Sequence, residues 1–107
     1  MNEIQLDSVL LAVADPTRRS ILAGLAAGPK RVTQIAEPFP ISLNSVSKHI
    51  RILERANLVS RRRVGKEHIL SINPTSLDDA AAWIEEQRTL WAWRFQTLDA
   101  LIQKEEQ

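Results

Sequence analysis

At 107 residues, 44% of them apolar and 25% charged, the chain has the size and composition of one globular domain spanning 1–107 and is too short for two. It has no cysteine, which excludes disulfides, thiolate metal sites and thiol redox sensing. No apolar run approaches the roughly 20 residues of a membrane span, and the N-terminal MNEIQLDSVLL lacks the basic start of a secretory signal, so a cytoplasmic location with no membrane partner is expected.

The spacing of Leu6, Val9, Leu10, Val13 and Ala14 predicts a first helix over 4–14. It stops at Asp15-Pro16, where Asp15 can cap a second helix and Pro16 suits its first turn. That helix aligns Ile21, Leu22 and Leu25 and ends at Gly28-Pro29. A short third helix is expected over 32–37, since Pro38 disfavours helical geometry at Glu37 and Pro40 keeps the connection extended. Ser42 reads as the N-cap of a fourth helix reaching Ala56, with Asn57 as a left-handed terminator. Over 58–73, the alternation His68-Leu70-Ile72, the β-branched residues and a turn at Gly65 predict a β-hairpin. Asn73-Pro74-Thr75-Ser76 then leads into one long helix over 77–104.

The net charge of +1 conceals a basic middle: residues 18–68 hold 11 Lys/Arg against three acids, while both ends are acidic. Such a distribution points to a polyanion as partner. Two helices joined by a short turn over 32–56, the second rich in small polar and basic residues, follow the helix-turn-helix pattern. At 100° per residue, Leu43, Val46, Ile50, Leu53 and Asn57 fall on one side of the fourth helix, and Asn44, Lys48, Arg51 and Arg55 on the other, flanked by Ser45 and Ser47. That outward stripe contains no acid. Asn and Ser can pair with base edges, Lys and Arg can reach guanine or phosphate, and Ser42 with the free N–H groups at the helix start can hold a phosphate. The hairpin tip adds Arg61, Arg62, Arg63 and Lys66, placed to follow the backbone. His49, at the edge of the apolar side, either contacts DNA or fills a packing position, and His68 is expected to pack near the core. Two isolated histidines make no metal site, and no cofactor is expected.

The last helix repeats Leu77, Ala81, Ile84, Arg88, Trp91, Phe95, Leu98 and Ile102 at coiled-coil spacing. A second group, Trp83, Leu90, Ala92, Trp93, Thr97 and Leu101, adds apolar surface elsewhere. A helix apolar on more than one side must be covered on more than one side, and a second copy of the chain is the natural cover. Leu6, Val9, Leu10 and Val13 of the first helix and Ile84, Trp91, Phe95, Leu98 and Ile102 of the last are the expected dimer interface. The tryptophans are expected to pack, in interface or core, with a small-ligand cavity as the alternative. The expected fold class is mainly α with a two-stranded β-wing, a winged helix-turn-helix dimerising through 4–14 and 77–104.

Three stretches in this order, ADPTRRSIL, SVSKHIRILERANLV and the basic LVSRRRVGKEHIL, resemble the ArsR family of bacterial winged-helix repressors over nearly the whole chain. The phrase LERANLVSRRRVGKEHIL is similar to the branch often encoded beside START-like superfamily proteins. The resemblance implies a homodimer on an imperfect palindrome of duplex DNA, repressing transcription. Metal-sensing members carry a Cys motif on the third helix or Asp/His/Glu clusters on the last. Here the third-helix region reads KRVTQIAEPF and the last helix lacks His, so neither metal site carries over, and the inducer is not identified. The competing reading is a winged-helix module that binds an acidic protein. An enzyme is not expected: paired-carboxylate, phosphate-loop, nucleophile-elbow and HExxH motifs are all missing.

Overall fold

The computed structural model describes residues 2–106. In chain order the elements are α1 (Glu3–Val13), α2 (Pro16–Leu25), β1 (Lys30–Arg31), α3 (Val32–Ala36), α4 (Leu43–Arg55), β2 (Val59–Val64), β3 (Glu67–Ile72) and α5 (Pro74–Glu106).

The helix starts are set by side-chain caps. Asn2 Oδ1 accepts from the Gln5 N–H at 2.8 Å, Asp15 Oδ2 from the Arg18 N–H at 3.0 Å, and Ser42 Oγ from the Ser45 N–H at 3.1 Å. Each satisfies an N–H that the first helical turn leaves without a partner. At the start of α3 the side chain of Gln34 reaches back to the Arg31 N–H at 3.0 Å. The end of α4 is a Schellman arrangement. Asn57 takes φ 58°, its N–H donates to the Glu54 carbonyl at 2.9 Å, and the Leu58 N–H donates to the Leu53 carbonyl at 3.0 Å. Leu53 and Leu58, joined by that bond, are both buried.

Ile21 and Leu25 of α2, Ile35 of α3, Val46, Ile50 and Leu53 of α4, and Leu58, Val59 and Leu70 of the hairpin form one core. The hairpin pairs Val59 with Ile72 and Val64 with Glu67, leaving Gly65 and Lys66 as a two-residue turn. Gly65 takes φ 62°, the positive value such turns require at their first central residue and glycine tolerates best.

Several expectations change. The sheet has three strands in the order β1-β3-β2, because Lys30 and Arg31 pair antiparallel with Leu70 and Ile69. A two-residue strand has no period to read. His68 is exposed although it alternates with Leu70 and Ile72: at its end of β3 the hairpin has run past the core that buries Leu70. Val9, expected at a dimer interface, is 1% exposed within its own chain's core, while Leu11 of the same helix points outward, 68% exposed. Leu6, Leu10 and Val13 are half-buried, with Leu6 and Val13 against that core. Helix α5 begins three residues earlier than expected.

Beyond Ala80, α5 leaves the body of the molecule. Thirty-three residues make a rod of about 50 Å, which accounts for overall dimensions of 73 × 28 × 24 Å. Among its described residues, Ser76 and Ala80 are buried. Ile84, Leu90, Trp91, Trp93, Phe95, Leu98, Leu101 and Ile102 are all exposed, Trp91 by 61% and Phe95 by 66%.

Candidate nucleic-acid interface

Helix α4 presents two opposite faces. Val46, Ile50 and Leu53 are fully buried, which fixes the rotation of the helix about its axis. Asn44, Lys48, Arg51 and Arg55 are therefore held outward, and all four are exposed. Leu43, read as part of the apolar side, is also exposed, because it precedes the first turn that meets the core. Ser45 and Ser47 are half-buried at the flanks, and Ser42 Oγ donates to Ser45 Oγ at 3.0 Å. With Ser42 engaged in the cap, the start of α4 is a rigid platform for its polar side chains.

The wing residues separate into different roles. Arg61 is turned back onto α4, where its Nη2 and Nε meet the two Glu54 oxygens at 2.7 and 3.3 Å. This fork-to-carboxylate pair anchors the wing to α4, so Arg61 is structural in the free protein rather than a spare cation at the tip. Arg63 Nε donates to the Gly65 carbonyl at 3.1 Å and stiffens the turn. Arg62 and Lys66 are exposed on the hairpin. Between the wing and the start of α4 lies a cleft of about 250 Å³ lined by Arg31, Thr33, Leu43, Lys66, Glu67 and His68 among others. Arg31, which sequence reasoning passed over, closes its base by pairing with Glu67 at 3.1 Å and so ties β1 to β3.

His49 is half-buried and faces inward: its Nδ1 lies 3.2 Å from Arg18 Nη1 and 3.7 Å from Asp15 Oδ2. The Asp15 carboxyl is held below its ordinary pKa, chiefly by the Arg18 backbone N–H that it caps; desolvation opposes this, and the charges of Arg18 and His49 each add a lesser lowering effect. Arg18 was not singled out from the sequence. The signal available was its place three residues after the capping Asp15.

The tryptophans lie outside the core. Trp83 borders a cleft of about 340 Å³ between α1 and α5, with Leu6, Ala82 and the acids Glu3, Asp79 and Glu86. Trp91 shares an open groove with Arg94, Phe95 and Leu98. Arg88, the polar residue of the seam, is paired with Glu85 at 2.6 Å on its own helix.

A family model for a helix-turn-helix domain matches residues 13–62. The transcriptional repressor SdpR of Bacillus subtilis (strain 168) is 40% identical over 79 residues, which are 74% of this chain and 88% of that repressor. The crystal structure of an ArsR family transcriptional regulator superposes with a TM-score of 0.81 at 35% identity, covering 86% of this chain and 95% of that one. The homodimeric winged helix-turn-helix DNA-binding domain of a Mycobacterium bovis protein, solved by NMR, matches with a TM-score of 0.62 at 26% identity, over 85% of this chain and 82% of that one.

Proposed function

The chain belongs to the ArsR family of helix-turn-helix transcriptional regulators, and on that footing we propose that it is a repressor acting as a homodimer on a palindromic operator, without a metal in its mechanism. The observation that carries the reading is the outward row of Asn44, Lys48, Arg51 and Arg55 on a helix whose opposite side is locked into the core. A rigid helix with an amide near its N-terminus and cations along its length suits the major groove, where the amide reads bases and the cations meet guanine or phosphate. Arg62 and Lys66 extend the contact along the backbone.

The homodimer is supported by the length of α5 that its own chain leaves uncovered and by the homodimeric state of the Mycobacterium bovis domain. A two-fold axis through α1 and α5 sets two copies of α4 on one side of the particle, for half-sites about one helical turn apart, roughly 34–36 Å. Repression follows if such a dimer covers a promoter and excludes polymerase. The metal-free reading is supported by the missing thiolates and by the two histidines. His49 is engaged with Arg18 and Asp15, and His68 stands on the wing.

The test is selection of genomic fragments by the purified chain, followed by titration of the enriched site and a promoter reporter. An inverted repeat bound by two chains, reporter silencing, and affinity unmoved by zinc, cadmium or arsenite are expected. Enrichment of single, unpaired half-sites would remove the palindrome, and stoichiometric loss of binding with any of these metals would remove the metal-free reading.

A further inference from the structure

Three helices meet at one side chain. Arg18 stands in the first turn of α2, and its guanidinium reaches both other helices. Nε donates to the Ala12 carbonyl at 2.7 Å, Nη2 to the Leu11 carbonyl at 3.1 Å, and Nη1 points at His49 Nδ1 at 3.2 Å. The first two contacts lie in the last turn of α1, where a cation is favoured, and the Leu11 carbonyl also accepts from the Ala14 N–H at 3.2 Å. The third lies on α4, next to Lys48. We propose that Arg18 and His49 are positioning residues for DNA binding, a brace that sets the recognition helix against the C-terminal end of α1. This rests on the DNA-binding reading above, in which α1 belongs to the dimer and α4 to the operator. The brace then passes the geometry of one to the other.

The chemistry of the contact gives it a switch. Arginine does not lose its proton in proteins and its guanidinium offers no acceptor, so this contact is a hydrogen bond only while His49 Nδ1 carries no hydrogen. Protonation puts a hydrogen on Nδ1, sets two cations against each other, and leaves Asp15 Oδ2 at 3.7 Å as the alternative partner. Among the other charges nearby, Arg55 of α4 lines one cleft with Arg18 and Leu11. Glu3 and Asp7 are exposed in the first half of α1, Arg19 donates to the Val13 carbonyl, α3 has no ionisable side chain, and Arg61 of β2 is held by Glu54. A hydrogen on Nδ1 thus costs Arg18 its contact with α4 and leaves those with α1.

The experiment uses the full chain, its selected operator and two variants. Arg18→Lys keeps the charge and loses the three-pronged fork. His49→Asn places an acceptor oxygen where Nδ1 stands and does not titrate. Imidazole nitrogen NMR of the free wild-type chain should show Nδ1 without hydrogen at neutral pH. Arg18→Lys, measured below its melting range, should keep wild-type self-association and bind the operator roughly tenfold more weakly, the scale of one lost charged hydrogen bond to α4. Wild-type affinity should fall on acidification as Nδ1 takes up a hydrogen, opposite to the gain expected from adding positive charge near DNA. His49→Asn should match the wild type at the alkaline end and lack that fall. A hydrogen on Nδ1 in the free protein, an affinity that rises with acid, or Arg18→Lys binding like the wild type would overturn the brace while leaving the DNA reading intact. A wild-type chain that binds no duplex at any pH would remove the DNA reading, and this role with it.

Discussion

At the scale of single residues, what matters is which side chains the core has already committed. Lys48 projects from the side of α4 opposite Val46, Ile50 and Leu53, so it serves the surface and not the core. Lys48→Ala should weaken operator binding by roughly 1–3 kcal/mol if the amine reads a base, with no change in melting temperature. A variant that melts early, yet binds normally in its folded fraction, would reassign Lys48 to folding. Asp15 is the reverse case. Its carboxylate caps α2 and lies beside Arg18 and His49, and these partners hold its pKa down. A carboxyl with a lowered folded pKa favours the fold when ionised. The stabilisation is complete above the ordinary carboxylate value near 4 and is lost as pH falls through the lower folded value. Asp15→Ala should therefore melt several degrees below wild type at neutral pH, and the gap should narrow only in that acid range. A gap independent of pH down to strong acid would show that the charge contributes nothing.

At the scale of elements, the wing combines anchor and contact. Arg61 is fastened to Glu54, and Arg63 to the turn, while Arg62 and Lys66 are exposed. If Arg62 and Lys66 each meet a phosphate, replacing both with alanine should flatten the slope of log K against log salt by about 2, from the counterions no longer released. An unchanged slope would place them away from DNA. The four arginine and lysine positions were legible in the sequence as one basic cluster, but their division was not. Glu54 and Arg61 are seven residues apart, and their meeting depends on the hairpin folding back over α4. The same holds for His68, which keeps the alternation of a core strand at a point where there is no longer a core beneath it.

At the scale of the whole molecule, the dominant feature is the rod of α5. Its heptad seam and both flanks stand in water along most of its length, a larger exposed apolar surface than single soluble chains ordinarily tolerate. A second copy laid along it would bury that surface and, with α1, complete the proposed dimer. Trp91→Glu puts a charge into the seam, where unpaired burial is unfavourable. Sedimentation should show this variant as a monomer, and titration should show little affinity for a full operator. Because Trp91 touches little in its own chain, the monomer is expected to stay folded over α1 to β3. A folded monomer that binds the full operator as tightly as wild type would show that pairing does not organise the function.

Local chemistry is what the sequence by itself determined. The caps at Asp15 and Ser42, the left-handed Asn57, the Gly65 turn and the two-faced stripe of α4 each depend on residues within a few positions of one another, and each appears where the spacing places it. Only the tertiary structure decided the third strand, the inward turn of His49, the burial of Val9 in its own chain's core and not at a dimer interface, and the capture of Arg61. All of these depend on partners distant in the chain: β1 on β3, His49 on Arg18, Val9 on the core, Arg61 on Glu54. Periodicity tells which side of an element is apolar. It does not tell how far the surface that covers that side extends, and the reach of the core decides whether the residue is buried.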